Sequence, residues 1–249
     1  MAEQPGTVGG ERSFADLHSH SSASFDSLSD PRKMISKAVR LGLTHLAITD
    51  HERVDGAQRA RGMAPPELQV IVGEEIKSRD GDIIGLFLEH AVPPGLSAAE
   101  TAAAIREQGG LVGLPHPFDS HRNSGGSQAG EAEQKLEELA TIVDYVEVHN
   151  ARAYRDANPL AGAFAQRHGL PGTASSDAHS ITELGIASTV LPGTFTTAEE
   201  LRALLPHAEL VTGRASYYVR LWTPIAKLVN RARGNGRIRP KMPAGEDAA

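Results

Sequence analysis

Seven short apolar runs punctuate the chain, and most of them close on histidine, aspartate or glutamate. The runs are FADL (14–17), THLAIT (44–49), LQVIVG (68–73), IIGLFL (83–88), LVGL (111–114), YVEV (145–148) and GTAS (172–175). Their lengths suit buried strands better than helices. Helix-like segments with readable ends lie between them. In SDPRKMISKAVRLG, Asp30 is placed as N-cap, Pro31 as the first helical residue and Gly42 as the stop. SAAETAAAIREQGG carries a capping box, Ser97 with Glu100. EAEQKLEELA, NPLAGAFAQRHG and TAEELRALL complete the set. Such an alternation predicts a parallel α/β fold, either barrel or doubly wound. One place breaks it: Asp80-Gly81 in EEIKSRDGDIIGLFL reads as a hairpin turn, which predicts a distorted barrel.

The residues that close the runs are of one chemical kind. FADL leads to His18-x-His20, THLAIT to Asp50-His51, LQVIVG to Glu74-Glu75, LVGLP to His116, YVEV to His149-Asn150 and GTASS to Asp177-x-His179. In a β/α barrel the ends of the strands build the site. The two imidazoles of an H-x-H pair share one side of an extended strand, because side chains alternate with period two. Four of the eleven histidines, His45, His90, His168 and His207, fall outside this pattern and read as surface or satisfied core residues. A lone H-x-H is weak evidence for a metal, but the set together is strong.

Composition narrows the chemistry. The chain has no cysteine, so disulfides and thiolate ligands are excluded. A metal must be held by His, Asp and Glu, a mixture that suits Mn²⁺, Zn²⁺ or Fe²⁺ and hydrolytic chemistry. The polar start, residues 1–13, reads as disordered and without a signal peptide. No apolar run is long enough to span a bilayer. The expectation is a soluble, cytoplasmic protein with no membrane partner. A net charge of −6 argues against a surface that binds nucleic acid throughout. Residues 214–241 nevertheless hold eight Lys/Arg and no Asp/Glu. That basic tail, 214–249, is either a solvated appendage or a contact for short nucleic acid, with Tyr217, Tyr218 and Trp222 as stacking surface. The loop PFDSHRNSGGSQAGEAE (117–133) lies where a lid could sit. There is no P-loop, Rossmann turn or G-x-S-x-G elbow, so these chemistries are unsupported.

Six segments in order, DLHSHSSASFDS, GLTHLAITDH, VGEEIKSRDGDIIGLFL, GLPHPFD, VEVHNAR and SSDAHSITELG, resemble the PHP (polymerase and histidinol phosphatase) family across about residues 14–190. The stretch from about Pro171 to Gly213 is similar to the PHP-associated C-terminal region, giving a domain over 14–213. The resemblance implies an α/β fold, a distorted (β/α)7 TIM-like barrel, with a centre of two or three divalent ions. Its implied ligands are His18, His20, Asp26, His51, Glu75, His116, Asp177 and His179, with Glu75 bridging and Glu74 turned away. Asp82 stands where many relatives have a further histidine, so two ions are the firmer expectation. Asp82, His149 and Asn150 are expected as further ligands or beside the ligands, with His149 placed beside them or facing substrate.

The implied reaction is phosphoester hydrolysis by metal-activated hydroxide, with Asp177 or His179 relaying the proton. Arg152 and Arg122 are candidate phosphate clamps, and His121 a candidate leaving-group acid. Three functions compete. They are a phosphatase for a small phosphomonoester or nucleotide, a 5′–3′ exonuclease-like phosphodiesterase on short RNA or DNA, and a non-catalytic metal-binding regulatory module. The oligomeric state is left open.

Overall fold

A computed structural model describes residues 12–119, 129–154 and 156–240. The sequence readings on residues 1–11, on the lid loop over 120–128 with His121 and Arg122, and on the basic tail over 241–249 lie outside the described residues.

Seven strands form the barrel: β1 (Ser13–Asp16), β2 (His45–Ile48), β3 (Gln69–Lys77), β4 (Asp82–Leu86), β5 (Leu111–Leu114), β6 (Tyr145–Asn150) and β7 (Gly172–Ser175). Two more, β8 (Ser188–Leu191) and β9 (Glu209–Val211), extend one sheet in the order β7-β6-β5-β4-β3-β2-β1-β8-β9. β1, β2 and β3 pair in parallel, as do β5, β6 and β7. β4 is antiparallel to both β3 and β5. The cause is the Asp80-Gly81 hairpin, in which Gly81 takes a φ of +149° and its carbonyl accepts from the Ser78 amide.

Closure differs at the two ends. Beyond β1 and β7 the chain pairs Ser19 with Ala178, and Asp177 N–H donates to the His18 carbonyl at 2.8 Å. At the other end β8 runs antiparallel against β1, and Thr189 Oγ1 bonds both the amide and the carbonyl of Ala174. The fold is therefore a distorted, nearly closed TIM-like barrel, as expected.

The helices are α1 (Pro31–Arg40), α2 (Asp55–Arg61), α3 (Ala98–Glu107), α4 (Ala129–Ala140), α5 (Ala157–His168), α6 (Ala198–Leu204) and α7 (Trp222–Ala232). Asp30 caps α1 by accepting from Arg32 N–H, and Ser97 and Glu100 form the capping box of α3. Sequence patterning left out α2, β8, β9 and α7. Among the described residues, no helix is long and apolar enough to cross a membrane.

Alternation along β3 shows how the barrel positions its site. Val70, Val72 and Ile76 join the core under the helices, whereas Ile71 belongs to the interior cluster with Leu17, Ile84 and Tyr145. Period two then places Gly73 and Glu75 on the same side as Ile71. One strand thus supplies apolar filling at its start and a buried carboxylate at its end.

Candidate metal centre

Glu75 lies at the middle of the polar end of the barrel. Its Oε1 is 3.1 Å from His116 Nε2, and its Oε2 is 3.3 Å from His18 Nε2 and 3.4 Å from both His20 Nε2 and His51 Nδ1. Asp177 Oδ1 approaches His20 Nε2 at 3.3 Å and His18 Nε2 at 3.6 Å. Asp26 Oδ2 is 3.4 Å from Nε2 of both His51 and His179. All eight residues named as ligands in the sequence therefore converge. They fall into three overlapping sets: His20, Asp26, His51 and His179; His18, His116 and Asp177; and His18, His20 and Glu75. Within each set one atom per residue lies within 4.8 Å of the others.

These spacings fit a divalent cation. Metal–ligand bonds of about 2.0–2.2 Å place neighbouring donor atoms about 3.0–3.5 Å apart around tetrahedral or octahedral ions. Nε2 of His18 faces Nε2 of His20 at 3.1 Å. Two imidazole nitrogens directed at one point, with carboxylate oxygens around them, make a donor set of the right chemistry.

The chain presets the charge of these groups. Burial opposes protonation of His18, but Asp177, Glu147 and Glu75 outweigh it and hold the imidazole well above its usual range. Burial also opposes charge on His51, yet Glu75 and Asp26 raise it to about 9. Burial, and then the neighbouring His179, push His20 down to about 3, leaving it neutral. Asp26 and Glu75 are held well below the carboxylate range. Burial works against their ionisation, but His51 with His179, and His51 with His18, prevail. Two of the four described non-glycine residues with positive φ, His116 (+28°) and Asp177 (+50°), belong to these sets. Backbone of this kind costs about 1–3 kcal/mol per residue and concentrates at functional sites.

A supporting layer was only partly foreseen. Glu147, missed in the sequence, is buried with Oε1 3.1 Å from His18 Nδ1. Its Oε2 accepts from His116 N–H at 3.0 Å and from Asn150 Nδ2 at 2.9 Å. Asn150 also donates to Asp177 Oδ2 at 3.0 Å. Strict alternation would put Glu147 and His149 on one face. A bulge between Glu147 and His149 replaces His149 with Asn150 on the inner side. His149 turns away from the site: its Nε2 is 2.8 Å from the Gly213 carbonyl and its Nδ1 is 3.2 Å from Asn158 Nδ2. The expectation that it faces ligands or substrate is corrected.

Asp82 stays outside all three donor sets and pairs with Lys77 Nζ at 3.1 Å, although both residues line the same pocket. Asp50 belongs to the scaffold, accepting from the amide and hydroxyl of Ser21 at 2.6 Å each. Glu74 points away from the centre and accepts from Val92 N–H, as expected.

A cavity of about 440 Å³ opens over Asp26, His51, Glu75 and His179. Arg152 lies on its wall, with Nη1 donating to Glu183 at 2.6 Å and Nη2 to Thr223 Oγ1 at 2.9 Å. Thr223, Pro224, Lys227 and Arg237 also line it. They come from the basic tail, read as either a solvated appendage or a nucleic-acid contact; its described part is not merely solvated chain but includes a five-residue 3-10 turn (Tyr217–Leu221) and α7.

Comparison with known proteins gives a consistent picture. The PHP domain model matches residues 16–93, and the PHP-associated model matches residues 155–209. Uncharacterized protein MJ0417 of Methanocaldococcus jannaschii is 35% identical over 173 residues, covering 69% of this chain and 68% of that protein. Uncharacterized protein MJ1587 of the same organism is 38% identical over 115 residues, 42% of this chain and 67% of that protein. A two-domain Bacteroides vulgatus protein, described as containing a predicted PHP-like metal-dependent phosphoesterase, superposes with a TM-score of 0.67. The identity is 20%, and the match covers 85% of this chain and 68% of that one.

Proposed function

This chain belongs to the PHP domain family, and we propose that it is a metal-dependent phosphoesterase acting on a phosphomonoester or nucleotide. The observation that carries this reading is Glu75, whose two oxygens each face an imidazole nitrogen, His116 on one side and His51 on the other. Two of the donor sets share no residue: His20, Asp26, His51 and His179, and His18, His116 and Asp177. Glu75 stands outside both, but its Oε1 adjoins a member of one and its Oε2 a member of the other, so it would be placed to help hold an ion in each. Each ring nitrogen has one lone pair, so these two sets can serve two ions fully. The third set reuses His18 and His20, which favours two ions over three. Mn²⁺, Zn²⁺ or Fe²⁺ suits this mixture of imidazole and carboxylate.

Bound ions would supply Lewis acidity toward the phosphoryl oxygens and acidify water. The chain's own groups do the rest. His179 Nδ1 lies 2.9 Å from the Asp177 carbonyl, which leaves Nε2 as the atom directed into the centre. Proton acceptance then falls to the Asp177 carboxylate, held in place by Asn150. Arg152, fixed by Glu183 and Thr223, presents its guanidinium at the pocket wall for a phosphoryl oxygen. The completeness of the donor sets argues against a non-catalytic module. A phosphodiesterase on short nucleic acid is favoured by Tyr218 and Trp222, which are 81% and 58% exposed and precede Lys227, Arg231 and Arg233 in the same segment.

The test measures bound metal and the hydrolysis of an aryl phosphate, nucleotides and short oligonucleotides with each of the three metals. About two equivalents of metal and turnover of monoesters are expected, with activity abolished by joint His18→Ala and His20→Ala. Less than one equivalent of metal, or activity that survives both substitutions, overturns the reading.

A further inference from the structure

α7 docks on the barrel through its less apolar side. Its buried residues are Ala226 and Asn230, one small and one polar. Asn230 donates from Nδ2 to the carbonyls of Ser24 (3.0 Å) and Ser27 (2.9 Å), so two specific bonds fix that side inward. Just beyond the helix, Asn235 Nδ2 donates to the Ala23 carbonyl at 3.0 Å. The large apolar side chains are left outside, the reverse of a helix that covers its own core. Among the described residues, the four most exposed large hydrophobic side chains are Tyr218, Leu228, Leu221 and Trp222, and all four lie in this one segment.

These residues form one stripe. Tyr218 and Leu221 stand three apart in the 3-10 turn, where such positions eclipse. Leu221, Ile225 and Leu228 follow at the four- and three-residue spacing of one helical face, and Ile225 is also exposed. Lys227 and Arg231, four apart, share the neighbouring face. Residues 214–241 hold eight Lys/Arg and no Asp/Glu, whereas the other 221 residues hold 17 Lys/Arg against 31 Asp/Glu. The stripe is therefore bordered by positive charge on a molecule that is otherwise strongly acidic. A nucleic acid matches the cations and the aromatic rings but offers nothing to bury Leu221, Ile225 and Leu228. A second copy would bring the same positive segment against itself, because a two-fold interface is self-complementary. The surface of an anionic bilayer supplies both halves of the match, acyl chains for the stripe and headgroup charge for the cations. Tryptophan and tyrosine also favour that boundary.

We propose that the 3-10 turn and α7 form a docking surface for the anionic lipid face of a membrane, with Leu221, Trp222, Ile225 and Leu228 seated below the headgroups and the cations among them. The helix lies in the interface and spans nothing, in keeping with the lack of a membrane-crossing helix among the described residues. The sequence expectation of no membrane partner rested only on the lack of a spanning run, which an interfacial helix does not need. The docking is independent of the reaction and holds whether or not the chain hydrolyses phosphoesters.

Trp222 is the chain's one tryptophan, so its fluorescence reports on the stripe alone. The metal-loaded full chain, freed of unbound metal, is mixed with vesicles of phosphatidylglycerol and phosphatidylcholine in equal parts, and with vesicles of phosphatidylcholine only. With the anionic vesicles the protein should sediment and the Trp222 emission should move to shorter wavelength, both less so as salt is raised. Binding to phosphatidylcholine should be about tenfold weaker or more. Joint Leu221→Ser and Leu228→Ser should weaken binding to the anionic vesicles about tenfold or more. Their melting temperature should change little, because both side chains are exposed. Joint Arg231→Gln and Arg233→Gln should weaken binding about fivefold or more. No binding to anionic vesicles, equal binding to both kinds, or binding that survives the serine substitutions overturns the proposal. So does a dimer whose Trp222 emission ignores vesicles, which assigns the stripe to a second copy. Quenching of Trp222 by a short oligonucleotide, without vesicle binding, overturns it in favour of nucleic acid.

Discussion

Glu147 shows how much a single supporting carboxylate can carry. It faces His18 Nδ1 while His18 Nε2 points into the centre, which aims the ring and would keep the proton on Nδ1 once Nε2 gives up its own to a metal. A carboxylate behind a ligating imidazole also raises its basicity, and removing one typically weakens metal binding about 10–100-fold. Glu147→Gln keeps the shape and one acceptor but loses the charge. Its metal affinity, measured by competition with a chelator, is expected to fall by about that factor with little change in fold. An affinity equal to wild type would reduce Glu147 to a packing residue. Most of the donor atoms could be read from the sequence, because a strand-end histidine or carboxylate advertises its chemistry directly. Glu147 could not, since it sits inside the apolar run YVEV. Its inward neighbour is set by a bulge that leaves no local mark, and His149 looked the better candidate for the same reason.

Elements were legible wherever capping or turn chemistry was local. α1 and α3 begin where Asp30 and Ser97 announce them, and the β3–β4 reversal follows from Asp80-Gly81. The N-cap of α2 is Val54, which makes no side-chain cap, and the helix carries glycine in its first turn. Its place is decided by packing. A Cβ on Gly56 would lie 2.1 Å from Asp50 Oδ2 and 2.3 Å from Ser21 Oγ. Glycine is needed there because α2 sits directly on the Ser21–Asp50 pair that joins the histidine loop to the end of β2. Gly56→Ala should destabilise the protein by about 1–3 kcal/mol, the range for overpacking a close contact. The displaced pair adjoins His20 and His51, so metal content should fall as well. Thermal unfolding and metal analysis together check this, and a loss of stability with full metal content would confine the contact to packing. α7 was hidden for a related reason. Its buried residues are Ala226 and Asn230, while Trp222, Ile225 and Leu228 are exposed, so its apolar pattern does not mark the face that docks.

Across the whole molecule the centre ties together segments remote in sequence: the end of β1, the loop with Asp26, and the ends of β2, β3, β5 and β7. Ions held there would cross-link six parts of the barrel at the end where Ser19 meets Ala178. Without them the same groups pair with one another. Burial opposes the charge on Glu75 and Asp26, but the facing imidazoles keep both carboxylates ionised. Chelation should therefore leave the chain folded and lower its melting temperature. At a free metal concentration 100 times its Kd, linkage amounts to about 2.7 kcal/mol. In a domain of this size each kcal/mol shifts the melting temperature by about 2–4 °C. A drop of about 5–10 °C on chelation is expected, recovered on adding back the metal. The joint His18→Ala, His20→Ala variant should melt at one temperature whether or not chelator is present. Hydrogen exchange locates the effect: lost protection should concentrate at residues 18–27, 49–52 and 176–179, with β4 and α3 unchanged. Uniform loss across the barrel would mean that the ions stabilise the molecule as a whole rather than close its polar end.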